Sequence, residues 1–355
     1  MYVGVSSSNA PRVHNYPWTP GVGFGVKYAN PVTVPTSTPN DVDFCPGNTD
    51  CAVAHDTAPY ITAYPWSNLG FGLKYANPGI AVTGNGRGAA FGLSADIAVA
   101  HVTAPFITAY PWTPGGGFGV KYANPGVGPG YTGLDAAFCQ DRDVALGHGG
   151  ASPNFIYISA WPWTPGGGFG VKYANPGTKP TGAGNGVDFC GTTDLACAHT
   201  NNPYITAYPW TSGVGFGVKY ANPGIAVTGT GYGVAFCGKT DIAVAHSTAP
   251  YITAYPWTPG GGFGVKYANP GIAVPAWAAA TDFYDTVDVG VSFSLAPWIH
   301  CYPWTPGVGF GVKYANPGVA VGTNASYGMG FGFPKTGLFA QQSSLVPKLP
   351  GAGII

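Results

Sequence analysis

The sequence YPWTPGGGFGVKYANP, at residues 255–270, recurs with small changes along a chain of 355 residues. A second landmark of each copy is a phenylalanine that precedes a turn. The tryptophans of the seven copies lie 46 to 51 residues apart, at Trp18, Trp66, Trp112, Trp163, Trp210, Trp257 and Trp304. The seven phenylalanines are Phe44, Phe91, Phe138, Phe189, Phe236, Phe283 and Phe331. A regular period of this length indicates that each copy is one structural unit of a repeat protein.

One repeat divides into four short segments of β-strand composition, with Gly- or Pro-rich turns between them. The segments are residues 233–237, Asp241–His246, 251–255 and 263–267. In the fourth segment, Phe263, Val265 and Tyr267 are expected to share one face. Four strands of about five residues in a repeat of about 47 are typical of one β-propeller blade. The sequence therefore predicts an all-β, seven-bladed β-propeller with four-stranded blades.

The two ends of the chain predict how the ring closes. Residues 2–5 align with the second strand of the other repeats, so the first blade lacks an innermost strand of its own. Residues 327–331 align with an innermost strand that no further blade follows. We expect this C-terminal strand to complete the N-terminal blade, because closure removes the open sheet edges. In this interpretation residues 1–336 form the propeller and residues 337–355 are a tail outside the repeat.

Composition excludes several classes of protein. With 57 Gly and 35 Pro, a protein of long helices is not expected. Lys and Arg number 14 and Asp and Glu together 14, so no positive surface for nucleic acid is predicted. The N-terminal sequence lacks the pattern of a signal peptide, and no apolar run suits membrane insertion. Four of the seven cysteines follow the landmark phenylalanine in separate repeats, which predicts buried, reduced thiols.

Tryptophan and lysine recur once in every repeat and are the first candidate contacts. The seven tryptophans either stack on sugar rings from one face of the ring or fill the space between blades. Lysines in a ring suit an anionic polymer or an acidic partner, but they also suit the solvent side of an outermost strand. These lysines are Lys27, Lys74, Lys121, Lys172, Lys219, Lys266 and Lys313.

Histidine and aspartate also recur, and both patterns favour structural roles. His55, His101, His148, His199 and His246 lie in different repeats, so we expect each to bond within its own blade, to the tyrosine nine residues later. The aspartates open the second strand and are expected to accept hydrogen bonds from nearby turn amides. They are Asp50, Asp96, Asp143, Asp194, Asp241 and Asp288. No metal site and no cofactor is predicted.

The repeat resembles those of WD40 and YVTN-like propellers over nearly the whole chain. The resemblance rests on Val-Ala-Phe at 234–236, Asp-Ile-Ala-Val-Ala at 241–245 and Ile-Thr-Ala-Tyr at 252–255, whose Tyr255 stands where WD40 repeats often place Trp. The Trp-Asp dipeptide of WD40 repeats is replaced by Tyr-Pro, and their Gly-His pair does not recur from repeat to repeat. The repeats are also similar to those of tailed-phage and environmental viral sequences, which implies a phage-type propeller.

Sequence motifs of enzymes are missing, and the chain contains no Glu. We therefore expect a non-enzymatic structural or binding protein. The preferred interpretation is a phage virion surface component, made in the host cytoplasm, that contacts other virion proteins and a host-cell glycan. The alternatives are a lectin-like propeller with several equivalent weak sites, and a cytoplasmic location. The least regular blade, with Asp282, Tyr284 and Trp298, and the tail at 337–355 are expected to carry the docking contacts.

Overall fold

Seven four-stranded antiparallel sheets, arranged as blades around a central channel, make up the structure. The computed structural model describes residues 1–47, 49–93, 96–150, 155–322 and 326–332. These ranges contain no helix that could cross a membrane. The predicted all-β, seven-bladed propeller is confirmed, while the predicted tail at 337–355 lies outside the described residues.

In each blade the four strands lie side by side, in order from the central channel outward to the rim of the ring. The innermost strands are β4 (Pro39–Phe44), β8 (Gly86–Phe91), β12 (Gly133–Cys139), β16 (Gly184–Cys190), β20 (Gly231–Cys237), β24 (Ala278–Tyr284) and β28 (Met329–Gly332). The second strands are β1 (Tyr2–Ser6), β5 (Asp50–His55), β9 (Asp96–His101), β13 (Asp143–His148), β17 (Asp194–His199), β21 (Asp241–His246) and β25 (Asp288–Phe293).

The third and fourth strands complete the blades. The third strands are β2 (Val13–Thr19), β6 (Ile61–Ser67), β10 (Ile107–Thr113), β14 (Ile158–Thr164), β18 (Ile205–Thr211), β22 (Ile252–Thr258) and β26 (Ile299–Thr305). The outermost strands have two residues each: β3 (Gly23–Phe24), β7 (Gly70–Phe71), β11 (Gly117–Phe118), β15 (Gly168–Phe169), β19 (Gly215–Phe216), β23 (Gly262–Phe263) and β27 (Gly309–Phe310).

The hydrophobic core lies between the blades rather than within them. All six residues of β21 are buried, because each face of a blade packs against a neighbouring blade. The small side chains of Ala243 and Ala245 face Val289 and Val291 of the next blade. Alternation of small and large side chains on facing sheets lets the blades pack at the density of a protein interior. The seven cysteines are free and buried, as predicted.

The outer half of each blade differs from the prediction. The third strand continues through Pro256 to Thr258, where the sequence predicts a turn, and the fourth strand is Gly262–Phe263 rather than residues 263–267. Pro256 has no N–H to donate, so the hydrogen-bonded pairing between the third and fourth strands stops after two residue pairs. Val265 is consequently 81% exposed and does not share a buried face with Phe263 and Tyr267.

Ring closure occurs as predicted. The C-terminal strand β28 pairs antiparallel with β1, with Val3 opposite Phe331 and Val5 opposite Met329. The blade therefore has the order β28-β1-β2-β3, and both ends of the chain contribute to one sheet. Phe331 is 3% exposed and packs with Val3 in the core cluster of this blade.

Candidate binding surfaces

The aspartate that opens the second strand in six of the blades joins two neighbouring blades. Asp194 is fully buried, and its carboxylate accepts hydrogen bonds from Thr193 Oγ1 at 2.9 Å, from the Tyr220 hydroxyl, and from Trp257 Nε1 of the next blade at 3.3 Å. This corrects the expectation that turn amides satisfy these aspartates. The equivalent indole-to-carboxylate bonds are Trp18–Asp288, Trp112–Asp50, Trp163–Asp96, Trp210–Asp143 and Trp304–Asp241.

Six of the seven repeated tryptophans are parts of this network, and all seven are buried rather than an exposed platform. Their exposed fraction runs from 1% at Trp112 to 4% at Trp163, and each ring packs edge-to-face against the phenylalanine of the outermost strand. A buried indole cannot present its face to a sugar ring. This corrects the expectation of seven equivalent glycan sites at Trp18, Trp66, Trp112, Trp163, Trp210, Trp257 and Trp304 and agrees with the interpretation that they fill the space between blades.

One blade interface lacks the network. Tyr2 stands where the other second strands begin with aspartate, and Trp66 Nε1 is buried without a hydrogen-bond partner. Rings take the place of the carboxylate there: Tyr2 and Tyr28 lie edge-to-face on Trp66 with centroids 5.1 and 5.0 Å away. The first two blades are therefore held by aromatic packing, and this interface serves as a natural control for the others.

Replacement of Asp194 by Ala is expected to destabilise the fold strongly. It leaves Trp257 Nε1 and the Tyr220 hydroxyl without their acceptor in the interior, whereas the half-buried Thr193 hydroxyl keeps a second acceptor, the Cys190 carbonyl, at 3.1 Å. Each buried donor left unsatisfied costs about 1–3 kcal/mol, so the free energy of unfolding is expected to fall by roughly 3–5 kcal/mol. Urea denaturation of Asp194→Ala and of the unchanged chain measures this difference.

A matched pair of substitutions separates the effect of losing the hydrogen bond from the effect of a smaller ring. Trp257→Phe removes the bond to Asp194, whereas Trp66→Phe removes a ring of the same size that has no such bond. We expect Trp257→Phe to be more destabilising by about 1.5 kcal/mol, as befits a bond to a charged acceptor. Equal losses in the two variants would contradict this account of the network.

The recurrent histidines are buried structural groups, with a different partner from the one predicted. His199 Nε2 is hydrogen-bonded to Thr206 Oγ1 at 2.9 Å on the neighbouring strand, while the Tyr208 hydroxyl donates to the Thr178 carbonyl. In the first and last blades the histidine lies on the third strand instead of the second. His14 and His300 occupy the threonine position there, and Ser7 and Phe293 occupy the histidine position. Burial lowers the pKa of His199 to about 4, so the ring is neutral near pH 7.

The lysine ring lies beyond the two-residue outermost strands, not on a five-residue strand as expected. Each side chain is half-buried and donates to the asparagine amide three residues later, as Lys313 Nζ does to Asn316 Oδ1 at 2.6 Å. Lys313 Nζ also donates to the Tyr314 carbonyl at 2.8 Å. Partial burial lowers the pKa of Lys313. These bonds explain why lysine recurs; an anionic partner for the ring stays a prediction.

Two of the three proposed docking residues of the irregular blade have structural positions. Asp282 accepts from the amide of Phe331 in the closing strand at 2.8 Å. Tyr284 is 7% exposed and donates to the sulfur of Met1 at 2.7 Å. Both join the last blade to the first. Burial corrects the assignment of Tyr284 as a surface contact, whereas the assignment of the half-buried Asp282 stays a prediction. Trp298 is half-buried at a position that holds Tyr251 in the preceding blade.

Five aspartates, including Asp282, line the central channel, which has a cavity of about 340 Å³. Each carboxylate accepts from an amide at the inner edge of a strand, as when Asp188 accepts from Phe189 of its own blade and from Phe236 of the next, both at 2.8 Å. The carboxylates thus satisfy strand edges that no further strand pairs with. Within the described residues no cluster of three or more His, Cys, Asp or Glu side chains suits a metal ion.

The rim of the ring carries exposed aliphatic side chains that were not predicted from the alternation of residues along the strands. One aliphatic side chain in every blade follows the outermost strand and is 77–88% exposed. These residues are Val26, Leu73, Val120, Val171, Val218, Val265 and Val312. Single exposed aliphatic side chains are ordinary on protein surfaces, but here one recurs at the same place in every blade.

Comparison with known proteins shows likeness at the level of structure. A scan of protein-family models and a search of curated proteins each find no match. A functionally unknown protein from Desulfotomaculum acetoxidans DSM 771 superposes with a TM-score of 0.65 at 10% identity, covering 93% of this chain and 98% of that one.

Two further structures are similar. U3-55K has a TM-score of 0.55 at 10% identity and covers 79% of this chain and 85% of its own. The WD40 repeats of RRP9 have a TM-score of 0.57 at 9% identity and cover 81% of this chain and 83% of that chain. At such low sequence identity these similarities show the fold alone. The fold is a seven-bladed β-propeller similar to those that WD40 repeats form.

Proposed function

We propose that this protein is a non-enzymatic scaffold that binds other proteins through the rim of its ring. The observation that carries the proposal is the ring of exposed aliphatic side chains, one per blade, exemplified by Val218 at 88% exposure. Seven similar contacts at regular intervals suit a multivalent partner, because linked weak contacts add to a strong association. Apolar side chains beside a half-buried ammonium group also suit a protein surface of mixed polarity.

The use of the ionisable side chains supports a scaffold rather than an enzyme. The recurrent histidines are buried and bonded to hydroxyl groups, and the aspartates accept from indoles, phenols or strand amides. Catalysis needs unlike groups that converge on a substrate and change protonation state. Here the repeated groups lie apart in equivalent positions of different blades and maintain the ring.

The finer role we propose is that of a component of a virus particle, displayed on its surface. The support is the similarity of the repeats to phage-type sequences, together with a net charge of zero and an apolar rim that suits assembly. Such a protein reaches the exterior when the host cell lyses. A cytoplasmic adaptor with the same rim is the second candidate.

Seven rim substitutions test the scaffold. Changing each aliphatic residue of the ring to Thr keeps the size of the valines but removes apolar surface that the fold does not bury. We expect the melting temperature to change little, whereas the amount of protein that co-sediments with purified virus particles falls at least tenfold. Quantitative mass spectrometry of the sedimented particles measures this amount.

A second set of exposed aliphatic residues provides the control. Val22, Leu69, Val214 and Val308 are 72–88% exposed in the turn before the outermost strand, but three blades have glycine there. Changing these four to Thr is expected to leave co-sedimentation intact. Absence of the unchanged protein from particles would overturn the virion role, and intact association of the sevenfold variant would overturn the rim as the contact.

A further inference from the structure

The seven blades can be compared with one another, and one position stands out by its variation. The third strands are nearly constant, with Ile-Thr-Ala-Tyr-Pro-Trp in four of them. By contrast, the second residue of the innermost strands varies between polar, charged, aliphatic and aromatic types. These residues are Asn40, Arg87, Leu134, Asn185, Tyr232 and Ala279, with Tyr327 at the equivalent place before β28. Unlike residues around one axis can form a single asymmetric site, which identical repeats cannot.

These variable residues surround one end of the central channel, which we call the mouth. They occupy the starts of the innermost strands, and all seven side chains are half-buried. Asn40 Nδ2 donates to the Gly86 carbonyl of the next blade at 2.7 Å, and Asn185 Nδ2 donates to the Gly231 carbonyl at 2.8 Å. These two bonds join the starts of innermost strands in neighbouring blades.

One side of the mouth is aromatic. Trp277, which precedes β24, lies between Tyr232 and Tyr327, with ring centroids 5.5 and 6.2 Å away. The rings are tilted by 54° and 44°, and all three are half-buried. The repeated indoles of the core, by contrast, are almost completely buried and packed edge-to-face. The trio thus presents partly exposed ring surface from three successive blades.

The other side of the mouth is polar. Asp56 accepts from Asn40 Nδ2 at 2.8 Å and from Asn85 Nδ2 at 3.2 Å, and its carboxylate lies 3.7 Å from the Arg87 guanidinium. Arg87 also donates to Asn40 Oδ1 at 3.3 Å. The charges of Asp56 and Arg87 compensate each other, while planar amide and guanidinium groups remain at the surface. This arrangement offers hydrogen bonds without a net charge.

We propose that the mouth binds a neutral saccharide. Sugar rings have one apolar face of C–H groups, which the electron-rich faces of Tyr232, Trp277 and Tyr327 attract. Their hydroxyl groups both donate and accept, which matches the amide, carboxylate and guanidinium groups opposite. A compensated charge gives no advantage to nucleic acid or to a strongly charged peptide. The site is single and asymmetric, unlike a set of seven equivalent sites, and does not depend on the rim as a protein contact.

An array of neutral oligosaccharides tests the proposal, with glucose, N-acetylglucosamine, galactose and mannose oligomers as probes and the full chain as the labelled protein. We expect at least one series to bind, with a stoichiometry of one site per chain in calorimetric titration. Trp277→Ala is expected to weaken binding roughly tenfold, in line with the loss of one ring contact. Trp277→Phe keeps an aromatic face and is expected to retain most of the affinity.

Phe155→Ala supplies the matched control. Phe155 is 43% exposed and stacks on Tyr157 in the loop between β13 and β14, so its loss removes an exposed ring that is not part of the aromatic trio. Binding is expected to persist in this variant, and circular dichroism verifies that all variants are folded. The proposal is overturned if no neutral oligosaccharide binds, if Trp277→Ala binds as the unchanged chain does, or if several equivalent sites are titrated.

Discussion

A chain that ends at residue 318 is expected not to fold stably. It lacks Val321, Met329 and Phe331, whose side chains are buried with Val3 and Trp18 in one core cluster. Burial of three such side chains stabilises by roughly 5–8 kcal/mol, which is comparable with the whole stability of many domains. The truncation also exposes the inner edge of β1, an unpaired strand that favours aggregation. Thermal denaturation and size-exclusion chromatography measure the effect.

A chain that ends at residue 332 is the matched control. It keeps β28 and its pairing with β1 and omits only residues that follow the closing strand. Its melting temperature is expected to stay close to that of the full chain. Closure by β28 would be refuted if the chain that ends at residue 318 melted at that same temperature.

Acidification from pH 7 to pH 5 is expected to produce the second large effect, a steep loss of stability. Burial lowers the pKa values of seven histidines to about 4, whereas histidine in the unfolded chain titrates near 6.5. Between these two values the unfolded chain binds more protons, so stability falls as the pH falls. Between pH 7 and pH 5 each histidine lowers the free energy of unfolding by roughly 2 kcal/mol, or by about 14 kcal/mol for all seven.

Buried carboxylates act in the opposite direction but do not reverse the result. Burial raises the pKa values of Asp41, Asp96, Asp135 and Asp288, and that of Asp135 reaches about 7. A raised pKa means that the folded chain takes up the proton first, so Asp135 returns roughly 2 kcal/mol as the pH falls to 5. Seven histidines outweigh these groups, and we expect unfolding before pH 4.

Melting temperature against pH, from 7.5 to 4.5, checks this prediction. His199→Gln removes one titrating ring, so the slope of unfolding free energy against pH between 4 and 6.5 is expected to fall by close to one proton. That change of slope separates titration from simple loss of the His199–Thr206 bond, which shifts stability equally at every pH. A melting temperature that stays constant down to pH 5 would contradict the assignment of neutral, buried histidines.

Prediction from sequence succeeded where the information is periodic. The seven copies of the Tyr-Pro-Trp unit set the number of blades, and the strand composition around Asp241 set the second strand with its bounds. Closure of the ring was also predictable. The blade of residues 2–5 lacks an innermost strand, and residues 327–331 are an innermost strand that no further blade follows. Each of these inferences needs only the repeat length and local strand patterns.

Side-chain partners were less predictable, because they belong to neighbouring blades. The bond from Trp257 to Asp194 spans 63 residues, and no local pattern distinguishes it from a turn contact. The exchange of a histidine and a hydroxyl residue between strands, at Ser7 and His14, was visible in the sequence, but its meaning depends on strand register. Pro256 likewise lies inside a strand, since its missing N–H faces the short outer edge.

The sequence by itself determined the ring: its all-β class, its seven blades and the strand that closes it. Only the tertiary structure decided which repeated residues are buried and which form a surface. Blades pack face to face, so a tryptophan near a turn is covered by its neighbour, whereas a valine beyond a two-residue strand is left exposed. Burial depends on contacts between repeats, and a period within the chain does not specify which faces those contacts cover.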